Sequence, residues 1–99
     1  MIILPIKKRW FDLIVQKEKK EEYREIKPYC TTRLSPFLKS YAPIHVRLKN
    51  GYRKQSPFID ALCTVSIGEG LERWGAEKGR KYYILHIEKI YQQESEEIT

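Results

Sequence analysis

The sequence predicts an α+β fold that is mostly β, with one early amphipathic helix and a few short helical turns. Four segments, 2–6, 44–48, 58–67 and 81–91, are rich in β-branched or aromatic residues, the composition that strands prefer. Only residues 8–16 repeat their apolar side chains at the spacing of a helix. A chain of 99 residues is long enough for one domain with a modest core. Short strands with one helix fit a small β-barrel that is closed or nearly closed.

The first two predicted elements are a strand over 2–6 and a helix over 8–16. The strand segment is apolar and short, which favours burial on both faces, and Pro5 indicates a sheet edge or a strand end. In the helix segment Trp10 and Ile14 lie four residues apart, so the apolar stripe to which they belong is expected to pack on the sheet.

The middle of the chain predicts a helical turn, a strand and a hairpin. Residues 36–39 begin with a proline, which suits the first position of a single helical turn. Residues 44–48 alternate apolar and polar side chains, as a half-buried strand does. Asn50-Gly51 is the strongest turn signal in the chain and predicts a tight hairpin, with residues 52–56 forming a basic arm or loop beyond it.

The second half of the chain predicts two long strands and an acidic end. Residues 58–67 are expected to form a central strand, followed by a bulge or loop at 68–70. Residues 71–80 are expected to be a loop or a short helix, and 81–91 a final strand. The domain is therefore placed at 1–91, and the acidic residues 92–99 are expected to be a flexible tail.

The charge balance favours an anionic partner. The formal net charge is +6 and the isoelectric point about 9.4. No basic residue follows Lys89, whereas three glutamates lie in the last six positions. The preceding body therefore carries 19 basic against ten acidic residues, a formal charge of +9. Such a body attracts phosphates, although small basic proteins without a nucleic-acid role are also common.

Several classes of protein are disfavoured by the residues that are missing. Cys30 and Cys63 are isolated thiols, which argues against a disulfide framework or a zinc site. His45 and His86 are each expected to be satisfied at the edge of the core, and we predict no metal and no cofactor. The apolar start is too short for a signal peptide, and no run can span a bilayer. We expect a soluble cytoplasmic protein without a membrane partner.

A charged stretch provides the candidate site. If residues 21–26 form a strand, Glu22 and Arg24 lie on one face, and Lys19 is close enough for its side chain to reach them. One acid between two bases can hold an anion while it positions a proton-transfer group. The alternative is a solvated strand with paired charges.

The spacing Lys19-x-x-Glu22-x-Arg24 after a short helix resembles the Gly-x-Lys-x-x-Glu-x-Arg signature of ASCH domains, relatives of the PUA domain. The resemblance continues over most of the chain in the expected order, at residues 10–14, 25–29, 50–52, 67–70, 74–77, 79 and 83–85. Lys17 stands where the family has its glycine. The turn before the strand must then either use a non-glycine residue in a tight conformation or keep one that any residue can adopt.

The resemblance implies a PUA-like β-barrel with a cleft beside the signature strand, and RNA binding as the leading function. Some ASCH proteins are amidohydrolases that remove an acyl group from the exocyclic nitrogen of a modified cytidine, using a lysine, a threonine and a glutamate. Lys19 matches that lysine, Glu22 replaces the threonine, and both Glu69 and Glu77 could supply the distal glutamate. Other members are ribonucleases, from which no residue can be carried over.

The residues of the charged stretch suggest both a binding and a catalytic role. Arg24 is a candidate phosphate or carboxylate clamp, or else a structural ion pair with Glu22. Lys19 and Glu22 are the catalytic candidates, because a desolvated lysine can act as a base or nucleophile.

Aromatic and basic residues together suit single-stranded RNA. The predicted nucleic-acid-binding residues are Lys19, Arg24, Lys27, Tyr29, Arg33, Lys49, Tyr52, Arg53 and Lys54. Rim packing is as good an interpretation for both tyrosines, and Trp74 is expected to be a lid over the barrel. The predicted partner is RNA or a nucleotide-like anion. An enzyme acting on a modified nucleoside or on RNA is the alternative, and a module that binds an acidic protein is the third hypothesis.

Overall fold

The computed structural model of the chain describes residues 1–38 and 42–94. Strands make up 46% of them, with two short helices, which confirms a mostly β member of the α+β class. The elements are β1 (Ile2–Ile6), α1 (Lys8–Val15), β2 (Glu21–Arg24), α2 (Pro28–Leu34), a 3₁₀ helix (Ser35–Phe37), β3 (Ile44–Asn50), β4 (Phe58–Glu69), a second 3₁₀ helix (Glu72–Trp74) and β5 (Lys81–Glu94).

The five strands form one curled sheet, a half-barrel, in the order β1-β3-β4-β5-β2. β1 pairs with β3 in parallel and the other neighbours are antiparallel. The register of β5 against β4 shifts twice, so that Glu88 and Tyr91 are extra residues on β5. Bulges of this kind bend a strand and increase its twist, so they account for the curl that brings the two edge strands, β1 and β2, towards each other.

The core lies between this sheet and the two helices. Its members come from both helices and from every strand except β2. The buried apolar side chains that form it are Leu4, Ile6, Phe11, Ile14, Leu34, Val46, Leu48, Ile59, Ala61, Cys63, Val65, Tyr83 and Leu85. Phe11 and Ile14 are the fully buried part of the predicted stripe of α1, so the periodicity of residues 8–16 identified the face that packs on the sheet.

The first strand was predicted correctly in position but not in burial. β1 lies at the sheet edge, as Pro5 indicated. Leu4 and Ile6 face the core, but Ile3 is 53% exposed. The expectation that both faces are buried is therefore wrong, because the helices cover only one face of the sheet at this edge.

The tight hairpin predicted at Asn50-Gly51 is wrong. The last paired residues of β3 and the first of β4 are Lys49 and Phe58, so a longer loop separates the strands. Asn50 N–H donates to the Pro57 carbonyl at 2.8 Å and closes the base of this loop. The predicted turn and the predicted basic arm at 52–56 are therefore parts of one loop between β3 and β4.

The helix α2 was not predicted. Pro28 occupies the first turn of α2, where its missing N–H is harmless. Lys27 before it is extended, with φ −129° and ψ 159°, as expected before a proline. The predicted turn at 36–39 appears as the 3₁₀ helix Ser35–Phe37, and Lys39 lies outside the described residues.

Four strand ends differ from the predictions. β3 continues to Asn50 rather than ending at residue 48. β2 stops at Arg24 rather than residue 26. β4 continues through Gly68 and Glu69, so the bulge or loop predicted at 68–70 begins only at Gly70. β5 reaches Glu94, so three residues of the predicted tail belong to a strand, while 95–99 lie outside the described residues.

The turn between α1 and β2 uses a lysine in the left-handed conformation. Lys17 has a φ of 65°. Its N–H donates to the Ile14 carbonyl at 3.0 Å and the Glu18 N–H donates to the Leu13 carbonyl at 2.9 Å, which is the Schellman pattern that usually employs glycine. Of the two possibilities for Lys17, the tight non-glycine turn is the one adopted.

Candidate functional site

The side chains of Lys19, Glu22 and Arg24 converge, as their spacing predicted. Lys19 Nζ lies 3.1 Å from Glu22 Oε1, and Arg24 Nη2 lies 3.1 Å from Glu22 Oε2. We call these three residues the charged cluster. Glu22 is 6% exposed and Lys19 is 1% exposed. The cluster therefore places one carboxylate between two cations inside the protein, with a net formal charge of one.

Lys19 is enclosed on all sides by its partners. Its ammonium donates to the Glu21 carbonyl as well as to Glu22. It also lies 5.3 Å from the ring centre of Trp10 and 4.9 Å from that of Tyr23, distances at which rings attract cations. Burial lowers the pKa of Lys19, while the Glu22 carboxylate acts to raise it. The desolvation that a catalytic lysine requires is present, but the ammonium is sealed from solvent.

Arg24 joins the two edges of the curled sheet. Its Nη2 donates to the Pro5 carbonyl of β1 at 2.5 Å as well as to Glu22. Its Nε is buried and, among the described residues, has no hydrogen-bond partner. The structural ion pair considered above is therefore present, and Arg24 also bridges β2 to β1 across the open side of the half-barrel.

Two hollows adjoin the charged cluster, and together we call them the cleft. The larger, about 520 Å³, is lined by Trp10, Tyr52, Lys7, Lys8, Glu22 and Arg24 among others. The smaller, about 300 Å³, is lined by Trp74, Glu77, Arg80 and Tyr82 among others, and shares Lys7, Trp10, Glu22 and Tyr23 with the larger. Glu22 and Arg24 thus face a hollow, whereas Lys19 lines neither of these two and lies behind them.

The segment after β4 is fastened to the cleft by two aromatic side chains. Tyr23 hydroxyl accepts from the Leu71 N–H at 2.9 Å and donates to Glu21 Oε1 at 2.7 Å. A Cβ on Gly70 would lie 2.5 Å from the Tyr23 ring, and one on Gly75 would lie 2.9 Å from the Trp10 ring. Only glycine permits these two close approaches.

Of the two candidate distal glutamates, Glu77 is the one beside the cleft. It lines the smaller hollow and lies 3.6 Å from Arg80. Glu69 is exposed at the end of β4 and lines neither hollow of the cleft. Trp74, predicted to be a lid over the barrel, lies half-buried at the rim of this smaller hollow.

The predicted binding residues that follow the signature lie outside the cleft. Lys27 is paired with Glu25 at 2.5 Å. Arg33 stacks 3.7 Å from the ring centre of Tyr29, one helical turn away on α2. Tyr29 is 61% exposed. This second basic-aromatic surface is separate from the charged cluster, so the sequence grouped residues that the fold does not bring together.

The β3–β4 loop lies partly at the cleft. Tyr52 is 89% exposed and belongs to the lining of the larger hollow. Arg53 lines a neighbouring hollow of about 330 Å³. Lys54 is exposed in the same loop, and Lys49 is half-buried on β3. The cleft residues missed from the sequence include Lys7, Lys8, Trp10, Tyr23, Arg80 and Tyr82. Trp10 was assigned to the core because it fits the helical stripe.

Both histidines have partners, as predicted. His45 Nδ1 lies 2.9 Å from the Tyr91 hydroxyl. His86 Nε2 lies 2.8 Å from Ser66 Oγ, and its Nδ1 is 3.4 Å from Glu21 Oε2. Ser66, His86 and Glu21 therefore connect β4, β5 and β2 through their side chains.

Neither a metal centre nor a known relative identifies the site. Within residues 1–38 and 42–94, no group of three or more His, Cys, Asp or Glu side chains is placed to hold a metal ion. In the same part of the chain, no helix combines the length and apolar character needed to cross a membrane. No family model, no curated protein and no solved structure matches this sequence.

Proposed function

We propose that this protein is an RNA-binding domain of the ASCH type, whose cleft holds a nucleotide of a single strand. The observation that carries the proposal is that aromatic rings and cations line the same cleft: Trp10 and Tyr52 beside Lys7 and Arg24. Single-stranded RNA is bound by the same combination, with bases stacked on rings and phosphates held by cations.

The size and charge of the cleft support this ligand. Its larger hollow, about 520 Å³, is within the range of about 300–1,000 Å³ that small-molecule sites occupy. Glu22 offsets one of the two cations of the charged cluster. The additional positive charge at the hollow's rim comes from Lys7, because the Lys8 ammonium is paired with Asp12 at 2.7 Å.

The fold part of the proposal is a PUA-like barrel. The half-barrel leaves β1 and β2 as edge strands, and the contact of Arg24 with the Pro5 carbonyl spans the gap between them. A side chain bridge in place of a strand pair leaves room for a cleft at the seam. A cytoplasmic location, which suits the free thiols of Cys30 and Cys63, completes the proposal.

The test is a titration with a short unstructured RNA at rising salt, using Tyr52→Ala and Tyr29→Ala as a matched pair. Both tyrosines are well exposed, but only Tyr52 lines the cleft. We expect the Tyr52 variant to lose about 1–3 kcal/mol of binding free energy, the amount typical of one stacked base, and the Tyr29 variant to bind like the wild type. A log–log salt slope near zero, or equal losses in both variants, contradicts the proposal.

An enzyme that uses the same cleft is the second candidate, and the lowered pKa of the buried Lys19 is the observation that favours it. Because Lys19 is enclosed, Glu22 is the charged group of this pair that lines the cleft. Incubation with acylated cytidines and with unstructured RNA tests the candidate. Because the same pair is buried, circular dichroism first verifies that both variants, Lys19→Ala and Glu22→Gln, are folded. Turnover lost in folded protein of both variants supports the candidate, and turnover unchanged in Lys19→Ala rejects Lys19 as a catalytic residue.

A further inference from the structure

A further hollow, of about 460 Å³, lies between the α1–β2 turn and β5, apart from the cleft. Four lysines, three isoleucines and one glutamate line this hollow, which we call the lysine groove: Lys17, Lys19, Lys20, Lys89, Ile14, Ile87, Ile90 and Glu88. No predicted site residue except Lys19 lies in it. The groove was not visible from the sequence, because its members are separated by about seventy positions in the chain.

The groove is built by two irregular pieces of backbone. The left-handed Lys17 turns the chain after α1, and the Ile87 N–H donates to the Lys20 carbonyl at 2.9 Å, docking the turn on β5. Glu88, the next residue, is one of the extra residues of the β5 bulge. Bulges re-aim side chains and occur often beside functional sites.

The charges of the groove are available to a ligand. Among residues 1–38 and 42–94, Lys17, Lys20 and Lys89 form no ion pair. The one carboxylate in the lining, Glu88, accepts a hydrogen bond from the Thr64 hydroxyl at 3.0 Å. A rim of unpaired ammonium groups over an apolar floor is complementary to a sugar–phosphate backbone.

Lys19 connects the lysine groove to the cleft. Lys19 lines the groove, and its ammonium contacts Glu22, which lines both hollows of the cleft. We infer that the groove holds the phosphates adjacent to the nucleotide in the cleft, so that one RNA strand occupies both. The inference rests on the proposed function, since it extends the same ligand beyond the cleft.

The experiment compares a mononucleotide with an unstructured RNA of about eight nucleotides, within the range of about 4–16 that single-strand-binding folds cover. The groove variant is Lys20→Gln with Lys89→Gln, and the control is Lys78→Gln with Lys81→Gln, two exposed lysines that do not line the groove. Both variants lose the same charge, and circular dichroism verifies that both are folded. Lys17 is left unchanged because its backbone conformation shapes the turn.

We expect the wild type and both variants to bind the mononucleotide equally. The groove variant should bind the octamer about tenfold more weakly at low salt, with a log–log salt slope reduced by about 1.4, since each phosphate contact of a single strand contributes about 0.7. The control should change much less in both measurements.

Three outcomes overturn the inference. Equal octamer losses in both variants mean that only the overall charge matters. An octamer that binds no more tightly than the mononucleotide means that the ligand ends at the cleft. An acidic peptide that binds the wild type but not the groove variant, while both bind the octamer alike, assigns the groove to a protein partner. In contrast, absence of binding to either RNA rejects the proposed function itself.

Discussion

The charged cluster and the lysine groove share Lys19 but use positive charge in opposite ways. In the cluster, Lys19 and Arg24 are paired with the buried carboxylate of Glu22. In the groove, Lys20 and Lys89 are exposed and make no ion pair within the described part of the chain. Paired, buried charges are expected to shape the fold, and unpaired, exposed charges to attract a ligand.

This difference teaches that a charged motif is not by itself a ligand clamp. The pair Glu22–Arg24 connects β2 to β1 through the Pro5 carbonyl, and Lys19 supports it from behind. The motif therefore builds the wall of the cleft, and the rings of Trp10 and Tyr52 with the ammonium of Lys7 are the groups beside that wall that a ligand can use. Removing a cluster charge should reduce stability, whereas removing a groove charge should not.

The largest effect is expected for Glu22→Gln. The change leaves the enclosed ammonium of Lys19 without its carboxylate, and breaking a buried ion pair from one side costs about 3–5 kcal/mol. Urea denaturation measures the loss in the free energy of unfolding. The control is Glu18→Gln, an exposed residue for which a change within about 0.5 kcal/mol is expected. A loss below about 1 kcal/mol in the Glu22 variant would show that the pair is not structural.

The second effect concerns the Tyr23 ring that covers Lys19. An alanine at position 70 would place its Cβ 2.5 Å from that ring, and overpacking of this kind costs about 1–3 kcal/mol. We also expect Lys19, but not the already exposed Lys20, to gain reactivity towards an amine-acylating reagent, measured by peptide mass mapping. Gly68→Ala, whose Cβ would make an ordinary 3.4 Å contact, is the control. Unchanged labelling of Lys19 in the Gly70 variant contradicts the sealing role of Tyr23.

The pH dependence of stability offers a third test. Burial lowers the pKa of Lys19 from its ordinary value of 10.5, so between the lowered value and 10.5 the unfolded chain binds more protons than the folded one. The free energy of unfolding of the wild type, relative to Lys19→Met, should therefore rise with pH in that window. Burial raises the pKa of Tyr23 and of Cys63 to about 12 each, and these two shifts lower the free energy of unfolding at high pH. Because the wild type and Lys19→Met contain both residues, their contribution cancels in the difference. A flat difference would mean that Lys19 is not desolvated.

The sequence predicted local features better than those that depend on distant residues. The apolar periodicity of 8–16 located α1, and the β-rich composition of 58–67 located the central strand. The Asn50-Gly51 signal failed because the first pair of the two strands is Lys49 with Phe58, and turn chemistry alone does not specify where pairing begins. The helix α2 was missed because a proline, which stops a helix from continuing, is also well tolerated in the first turn of one, as Pro28 is in α2.

The candidate site shows the same contrast between features set by neighbouring residues and features set by distant ones. The spacing of Lys19, Glu22 and Arg24 was sufficient to predict their convergence, since all three lie within six positions. The rest of the cleft comes from other parts of the chain, and Trp10 could not be separated from the core residues of its own helix by periodicity. Basic and aromatic side chains also occur together at Lys27, Tyr29 and Arg33, but α2 and its N-cap place these three on another surface.

The smallest effect is expected in the groove, and its sign is opposite to that in the cluster. Lys17 holds a φ of 65°, which costs a non-glycine residue about 1–2 kcal/mol; glycine avoids this cost but loses about 0.4–1 kcal/mol through the greater freedom of the unfolded chain. Lys17→Gly should therefore raise the free energy of unfolding by about 0.5–1 kcal/mol, although it removes a cation. Glu18→Gly, next to it but without a positive φ, should lose stability in the same urea titration. If both variants lose stability alike, the lysine makes a contribution to the turn that its backbone strain does not explain, and the contrast between groove and cluster fails.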